Sequence, residues 1–384
     1  MKADHEVDVA VIGAGQAGLS AAYHLRRAGF ANEAGFVVLD HGKRPGGAWQ
    51  YRWPSLIVEK VHGIYDLPGM AFGTPDPKLP AADVVSEYFG RFERTYDLPV
   101  HRPVDVLSVS AGEDRLMVAS AAETWAARAV ISATGTWDRP FWPHYPGQET
   151  FRGRQLHTAD YTGVEAFHGK RVVVVGGGSS AVQLLLEIAP FARSTRWVTR
   201  RPPVWREEPF SEDWGREAVA KVDRRVREGL PPESVVSVTD LAVTPEVRAG
   251  LDAGVLDRRP MFHRITPDGV EWADGTFEPA DVILWATGFR AALDHLAPLH
   301  LRAAGGGIRM DGTRVVAEPR LHLVGYGPSA STVGANRAGR AAVTEIRRLL
   351  GRSAGRGSRP ARRAAGRNRR GCCRGRGRRT GCPE

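Results

Sequence analysis

Two glycine-rich turns carry the clearest chemical signal in this sequence. GAGQAG at 13–18 follows the apolar run VDVAVI, and GGGSSA at 176–181 follows RVVVV. An aliphatic strand, a tight glycine turn and a helix start bring the backbone close to a pyrophosphate, which then rests on the helix N-terminus. We therefore predict two dinucleotide sites. Their turn contacts are expected from Gly13, Gly15, Gln16, Gly18, Gly176, Gly178, Ser179 and Ser180.

The residues at the end of the next strand differ between the two motifs. After the first motif, the run FVVL ends in Asp40, whose carboxylate could accept both hydroxyls of an adenosine ribose and would repel a 2′-phosphate. After the second motif, RWVT ends in Arg200 and Arg201, whose guanidinium groups suit a phosphate dianion. The first site therefore suits FAD or NAD and the second NADPH. The alternative for the two arginines is solvated surface charge.

Two further segments could contact the ring end of a cofactor. In the segment GGAW, Gly47 would let the backbone pass close to a flat ring system that Trp49 covers. The alternative for Trp49, and for Trp53 nearby, is an ordinary core aromatic residue. Ser331 or Thr332 is the expected N-cap of a late helix, whose N-terminus would stabilise negative charge on a reduced flavin.

Apolar spacing predicts the elements that must position these residues. Two buried strands, at 129–136 and 281–289, leave through the same Ala-Thr-Gly sequence, and we interpret them as crossings between two domains. A late strand is expected at 321–325. Helices are expected over about 17–28, 84–92, 215–229 and 333–350.

These elements predict an α/β fold with two Rossmann-like dinucleotide-binding domains, the NADPH-binding domain being inserted into the FAD-binding domain. The first part of the outer domain is expected over 1–150 and its last part over 281–350. The inner domain is expected over 151–280, with an insertion near 205–261.

Charge and cysteine are concentrated at the C-terminus. Residues 351–384 hold twelve arginines, one acid and all three cysteines, so the rest of the chain is close to neutral although the whole carries +10. This composition cannot bury a core and predicts disorder. We expect a dispensable tail and no nucleic-acid partner, and the alternative is contact of its arginines with nucleic acid or a membrane surface.

The composition also excludes several classes of protein. Without a cysteine in 1–371, the chain lacks the redox-active pair that disulfide reductases place beside the flavin. Electrons from NADPH would therefore go to oxygen, a quinone, a protein partner or the substrate. No run of about 18 apolar residues is present, nor is a signal-peptide pattern. We expect a cytoplasmic enzyme that spans no membrane and requires no metal.

A segment between the two turns carries a family resemblance. FRGRQLHTADY at 151–161 matches the FxGxxxHxxx(Y/F) pattern of flavin-containing monooxygenases, and GGAW, ATGF at 286–289 and STVGANRAGR at 331–340 fit as well. Over about 5–350 the chain resembles the short bacterial members called CzcO-like. The resemblance implies FAD in the first site and NADPH in the second. Further cofactor contacts are then expected from Thr287, Gly288 and Thr332.

The same resemblance implies a class B flavoprotein monooxygenase. In this class NADPH reduces FAD, and dioxygen adds at the flavin C4a position to form a (hydro)peroxyflavin that oxygenates a small molecule. His157 would be a catalytic residue that helps to position the nicotinamide. The alternative for His157 is a loop histidine with satisfied hydrogen bonds.

Two positions depart from the family pattern. Glu59 stands about where many members carry an Asn that supports the peroxide, and this residue is the second catalytic candidate. Tyr161-Thr162 stands where Baeyer–Villiger enzymes usually carry Trp-Pro, which favours oxygenation at nitrogen or sulfur. Two alternatives stay open. One is an NADPH-dependent flavin oxidoreductase or oxidase that inserts no oxygen, and the other is a Baeyer–Villiger monooxygenase.

Overall fold

The computed structural model describes residues 3–61, 64–207, 212–233 and 240–351. The chain builds most of one sheet, leaves it for a second sheet, and then returns to the first. The elements before the departure are β1 (His5–Ile12), α1 (Gln16–Arg27), β2 (Phe36–Leu39), α2 (Ala81–Thr95), β3 (Val100–His101), β4 (Val106–Ala111), β5 (Leu116–Ser120) and β6 (Thr124–Ser132).

The remaining elements follow in chain order. The middle of the chain forms β7 (Arg154–His157), β8 (Arg171–Val175), α3 (Ser179–Ile188), β9 (Ser194–Thr199), β10 (Trp205–Arg206), α4 (Glu212–Arg227), β11 (Leu241–Ala242), α5 (Pro245–Asp252), β12 (Arg258–Pro260), β13 (Arg264–Thr266), β14 (Gly269–Glu271), β15 (Phe277–Pro279) and β16 (Val282–Trp285). The last elements are β17 (Met310–Asp311), β18 (Arg314–Val315), β19 (Leu321–Leu323) and α6 (Thr332–Leu349).

The larger sheet has the order β17-β18-β19-β6-β1-β2-β3, and β4 and β5 extend it antiparallel from β6. Its central strands β19, β6, β1, β2 and β3 are parallel. Helices α1, α2 and α6 cover one face, and residues of β4, β5 and the segment 293–301 cover the other. The run VAVI of β1 is apolar throughout because both faces of this strand are buried.

The second sheet has the order β12-β9-β8-β16-β7, with every strand parallel. Its central strand β8 ends in four consecutive buried valines, again because both faces are covered. The predicted architecture of two Rossmann-like domains, the second inserted into the first, is therefore confirmed.

The domain boundary expected at 281 is wrong. The register of β16 places Trp285 beside Val175 of β8 and beside His157 of β7, so this strand belongs to the second sheet. A continuous apolar run suits a buried strand of either sheet, and only strand pairing assigns it. The chain returns to the first domain after Trp285.

The two crossings lie side by side and form a ribbon between the domains. The amide of Phe141 donates to the carbonyl of Gly288 at 2.9 Å, and the amide of Ala292 donates to the carbonyl of Gly135 at 2.9 Å. A third bond joins the amide of Arg290 to the carbonyl of Arg139 at 2.8 Å. The expectation that both Ala-Thr-Gly segments cross between domains is confirmed.

The insertion expected over 205–261 ends earlier, because β12 joins the second sheet as an edge strand beside β9. Within the insertion, α4 packs against the first domain through Val226, and Val222 of the same helix is also buried. This helix ends before Pro231-Pro232, as the sequence predicts. The insertion therefore connects the second domain to the first by a packed helix.

The other three predicted helices are α1, α2 and α6, and their ends agree with the structure to within a few residues. Beyond Gly351, the tail predicted over 351–384 lies outside the described residues, together with Cys372, Cys373 and Cys382. No helix in the described ranges is long and apolar enough to cross a membrane.

Candidate dinucleotide sites and the crevice between them

The first glycine turn joins β1 to α1 and requires glycine for steric reasons. Gly13 has a φ of +97°, and a Cβ there would lie 2.7 Å from the carbonyl oxygen of Ala133. A Cβ on Gly18 would lie 1.8 Å from the carbonyl oxygen of Gly13. Gly15 precedes α1 without a capping side chain, and the first turn of the helix carries no acid. The amides at this helix start are therefore free to meet a phosphate.

The segment GGAW lies directly over this turn. A Cβ on Gly47 would lie 2.8 Å from the Cα of Gly15, so two backbones touch where the pyrophosphate would sit. Trp49 is half-buried and packs between the apolar cores of both domains. Trp53 is buried and meets Tyr161 edge-on at 6.0 Å, which confirms the core interpretation for Trp53.

Asp40 ends β2 beside the first turn and is 3% exposed. One carboxylate oxygen accepts the amide of Ala14 at 3.2 Å, and the other accepts Nε of Arg102 at 2.6 Å. The other nitrogens of Arg102 bind Glu93 at 2.6 and 2.8 Å. Burial opposes the charge of Arg102, but Glu93 and Asp40 raise its pKa above the ordinary value. Sequence reasoning missed Arg102, which lies next to the end of neighbouring β3.

The second glycine turn repeats this geometry between β8 and α3. Gly176 has a φ of +147°, and a Cβ there would lie 2.1 Å from the carbonyl oxygen of Ala286. Gly178 precedes α3 without a capping side chain, and a Cβ on it would meet nothing within 4 Å. The following residues Ser179 and Ser180 are half-buried at the helix start. Open space therefore lies over the N-terminus of α3.

Arg200 and Arg201 follow β9 and are both exposed. Neither forms an ion pair with an acid of the described ranges. Sequence reasoning missed a third arginine here: Arg258 of β12 donates from Nε to the hydroxyl of Thr199 at 2.7 Å and from a terminal nitrogen to its carbonyl at 3.2 Å. The signal that could have found it is the pair Arg258-Arg259 at the start of an edge strand. Three guanidinium groups thus gather at the end of β9.

His157 is fully buried at the end of β7. Its Nδ1 accepts the amide of Ala159 at 3.1 Å, so the proton lies on Nε2, which donates to the carbonyl of Gly288 at 3.0 Å. Burial lowers the pKa of His157, which keeps the ring neutral. Both ring nitrogens are thus bonded to the backbone, which agrees with the alternative of a histidine with satisfied hydrogen bonds, and a catalytic role stays a prediction. The side chain holds the crossing at Gly288 in place.

The remaining candidates have different surroundings. Glu59 is exposed on the short helical turn Val58–Lys60, and no side-chain hydrogen bond or ion pair reaches it within the described residues. Thr287 donates from its hydroxyl to the carbonyl of Phe141 at 2.5 Å, within the ribbon. The N-cap of α6 is Ser331, whose hydroxyl accepts the amide of Gly334 at 3.1 Å. Thr332 is the first residue of α6, and its side chain lies outside the described ones.

Gln16 connects the first turn to α6. Its side-chain nitrogen donates to Oδ1 of Asn336 at 3.2 Å and to the carbonyl of Tyr65 at 3.4 Å. Gln16 is therefore held at the start of α1 next to the N-terminal turn of α6. Among the residues that the structure describes, no group of three or more metal-ligating side chains comes together.

The ribbon of the two crossings touches both glycine turns. Its first segment meets Gly13 through the carbonyl of Ala133, and its second meets Gly176 through the carbonyl of Ala286. Aromatic rings line the ribbon: Trp137 stacks on Phe289 at 4.9 Å, and Phe289 meets His157 edge-on at 5.0 Å. Both glycine turns thus meet one aromatic ribbon, and the region beside Trp137 and Phe289 between the two turns is called the crevice below.

Comparison with known proteins agrees with this geometry. The family model "Pyridine nucleotide-disulphide oxidoreductase" matches residues 10–240. A flavin-containing monooxygenase from Stenotrophomonas maltophilia has a similar structure, with a TM-score of 0.77 and 38% identity over 90% of this chain and 99% of that chain. An uncharacterized CzcO-like oxidoreductase from Geobacillus kaustophilus is 25% identical over 310 residues, which cover 78% of this chain and 88% of that protein.

A third relative adds a reaction class. A Baeyer-Villiger monooxygenase from Streptomyces coelicolor is 31% identical over 220 residues, which cover 52% of this chain and 41% of that protein. Both cradles fit the cofactors of these enzymes, FAD and NADPH, since each is a tight glycine turn that leads into a helix start without a capping side chain or an acid. The chain is an NADPH-dependent flavoprotein oxidoreductase. It belongs to the flavin-containing monooxygenases, within the pyridine nucleotide-disulphide oxidoreductase family.

Proposed function

We propose that this protein uses NADPH and O2 to oxygenate a small molecule at nitrogen or sulfur, through bound FAD. The observation that carries the proposal is the ribbon that touches both glycine turns, because it would bring the ring ends of the two cofactors together. The FAD supplies the redox chemistry, taking hydride from NADPH and activating dioxygen. The protein would bind and orient the cofactors and the substrate, and it would exclude water from the reacting atoms.

The residues of this chain divide that work by position. The turns at Gly13–Gly18 and Gly176–Ser180 would hold the two pyrophosphates on the starts of α1 and α3. Arg200 and Arg201 would bind the 2′-phosphate of NADPH. Their exposure, and the lack of an ion pair with any acid that the structure describes, support this role.

Asp40 would accept the ribose hydroxyls of FAD with lone pairs that the protein leaves available. A carboxylate has about four acceptor sites, and here the described protein atoms use two. The ion pair with Arg102 fixes the direction of the carboxylate beside the turn. The ribose would thus meet an acceptor that is already in place.

The crevice would protect the reacting atoms from water. Trp49 and Trp137 are half-buried at its wall, and His157 holds the carbonyl of Gly288 behind it. Exclusion of water strengthens hydrogen bonds inside a site and suppresses side reactions. Glu59 is not assigned a catalytic role in this proposal, because its carboxylate is exposed and makes no contact with either turn in the described ranges.

The proposal is tested by following where the oxygen goes. FAD-loaded protein is mixed with NADPH, 18O2 and either a thioether or a tertiary amine. We expect NADPH consumption to rise with substrate, with one 18O atom in the sulfoxide or N-oxide and little hydrogen peroxide. Hydrogen peroxide equal to the NADPH consumed, whatever the substrate, would instead identify an oxidase.

A Baeyer–Villiger activity is the second candidate, and the similarity to the Streptomyces coelicolor enzyme favours it. The same assay with a cyclic ketone distinguishes the two reactions, since a lactone carrying 18O forms only by insertion beside the carbonyl. Cytoplasmic location and the absence of a nucleic-acid partner stay predictions from the sequence.

A further inference from the structure

One arginine at the ribbon has no anionic partner among the residues that the structure describes. Arg52 follows the short helical turn Gly47–Tyr51, and its guanidinium carbon lies 4.7 Å from the ring centre of Trp137 and 5.8 Å from that of Trp49. Within the described residues, no side-chain hydrogen bond or ion pair reaches this guanidinium. Burial lowers the pKa of Arg52 to about 10, and no carboxylate raises it again.

The neighbouring residues form an aromatic wall. Trp137 stacks with two further rings, Phe289 at 4.9 Å and Tyr51 at 6.2 Å, both nearly parallel to it. Trp137 follows the first Ala-Thr-Gly crossing and Phe289 the second. The guanidinium therefore lies at the ribbon, where the reacting ends of the two cofactors are proposed to meet.

An unpaired cation in this position requires a physical reason. A half-buried guanidinium loses part of its hydration free energy, and cation–π attraction to the ring faces offsets only a part of that cost. Arginine carries five N–H donors in a planar fork that matches a carboxylate, and its described protein surroundings use none of them. The arrangement suits a planar anion with an apolar body, which would pair with the fork and rest on the rings.

The phosphates of the cofactors have other positions to occupy. The helix starts after Gly15 and Gly178 suit the two pyrophosphates, and the exposed arginines at 200 and 201 suit a 2′-phosphate. Arg52 is on neither helix start. Its anion is therefore expected to come with the third molecule in the crevice, the substrate.

We propose that Arg52 binds the carboxylate of an aromatic substrate whose ring rests against Trp49 and Trp137. The inference depends on the proposed function for the identity of this molecule as the substrate. It makes the substrate class an aromatic carboxylic acid that carries an oxidisable sulfur or nitrogen.

The test compares two probes that share the ring and the thioether but differ at the carboxyl group, the anion 4-(methylsulfanyl)benzoate and its neutral methyl ester. Their binding to FAD-loaded protein is measured by calorimetry without NADPH, for the parent chain, Arg52→Gln and Arg52→Lys. Arg91→Gln is the matched control, because Arg91 also lies over a ring, that of Tyr88 at 5.7 Å, but on the exposed side of α2.

We expect Arg52→Gln to weaken binding of the benzoate by about 10- to 100-fold and to leave the ester within about 3-fold. Arg52→Lys should recover part of the loss, because charge returns without the planar fork. Arg91→Gln should change neither probe. Each variant must have a thermal midpoint within a few degrees of that of the parent protein. If Arg52→Gln fails to fold, the comparison of the two probes is made with Arg52→Lys instead.

Two results would overturn the proposal. Equal loss of both probes would mean that Arg52 supports the crevice rather than an anion. An unchanged benzoate affinity with a KM for NADPH raised tenfold would assign the guanidinium to a cofactor phosphate. Binding without turnover separates this inference from the proposed function, since charge-dependent binding can be found even if neither probe is oxygenated.

Discussion

At the end of each nucleotide-binding strand, single side chains offer different chemistry to a ligand. Asp40 is buried and already bonded to Ala14 and Arg102, so its direction is set before any ribose arrives. Arg200 and Arg201 are exposed and unpaired within the described ranges, so their donors are free for a phosphate. The two sites therefore differ in the sign of the charge that they offer. They also differ in preorganisation, since the carboxylate is held in place before binding and the two guanidinium groups are not.

The arginine pair predicts a preference between nicotinamide cofactors. Replacing both by glutamine (Arg200→Gln with Arg201→Gln) should raise the KM for NADPH by about 10- to 100-fold, because charge-assisted bonds to the 2′-phosphate are lost. The KM for NADH should change little. Arg193→Gln, an exposed arginine before β9, is the control. Steady-state kinetics with both cofactors decide the matter, and equal increases would show that the pair does not hold the 2′-phosphate.

At the scale of elements, each strand–turn–helix unit contains glycines of two kinds. Gly13, Gly18 and Gly176 are required by the fold, since a Cβ on any of them would lie within 2.7 Å of a carbonyl oxygen. Gly178 has open space around it and is required only by a ligand. One sequence pattern thus serves both folding and binding.

This difference predicts opposite outcomes for two alanine variants. Gly178→Ala should fold with a thermal midpoint close to that of the parent, but should bind NADPH about tenfold more weakly, because its methyl group enters the phosphate space. Gly176→Ala should fail to fold or unfold at a much lower temperature, since its φ is +147° and Ala286 blocks the methyl group. Circular dichroism and NADPH titration test the pair. A Gly178→Ala protein with unchanged affinity would argue against a phosphate there.

His157 holds the ribbon through two hydrogen bonds, and this structural role can be distinguished from an acid–base role by experiment. His157→Leu leaves the carbonyl of Gly288 and the amide of Ala159 without their partner, which should cost about 1–3 kcal/mol for each group and lower the thermal midpoint. The rate of flavin reduction by NADPH should keep its dependence on pH between 6 and 9. Loss of an ionisation from that profile would restore His157 as an acid–base group.

At the scale of the whole molecule, two domains are joined by a ribbon and by an inserted helix. The ribbon meets both glycine turns, and α4 packs Val226 against the first domain. The two segments of the ribbon run in opposite directions between the domains, and α4 belongs to the insertion of the second domain and packs on the first. The relative position of the two cradles therefore depends on packing at two separate places.

Buried histidines make the whole molecule sensitive to acid. Burial lowers the pKa of His295 and of His322 to about 4, from an ordinary value of 6.5. Between these values the unfolded chain binds protons that the folded chain does not, so the free energy of unfolding falls as pH decreases. Each histidine contributes up to about 1.4 kcal/mol per pH unit in this range.

We expect the thermal midpoint to decrease steadily between pH 6.5 and 4. The double variant His295→Gln with His322→Asn should have a flatter profile. These amides can still bond Ser132 and Thr313, the present partners, but take up no proton. Calorimetry across this range measures both proteins, and an identical slope would place the acid sensitivity elsewhere.

Much of the fold and part of the site can be predicted from linear patterns. Apolar runs, glycine turns and strand-end charges are local, so β1, α1, Asp40, Arg200 and Arg201 follow from neighbouring residues. The partners of these residues do not: Arg102 is 62 positions from Asp40, and Arg258 is 59 from Thr199. The hydrogen bonds of His157 could not be predicted for the same reason, because the carbonyl that accepts from its Nε2 lies 131 positions away.

The sequence by itself determined two dinucleotide cradles of opposite charge preference, since each is a continuous segment whose backbone needs glycine. Only the tertiary structure decided which sheet takes Val282–Trp285, that His157 is bonded on both sides, and that Arg52 is left unpaired between rings. These are properties of chain segments brought together by packing. Hydrogen bonding, burial and the pairing of charge depend on those neighbours in space, which no local pattern of residues encodes.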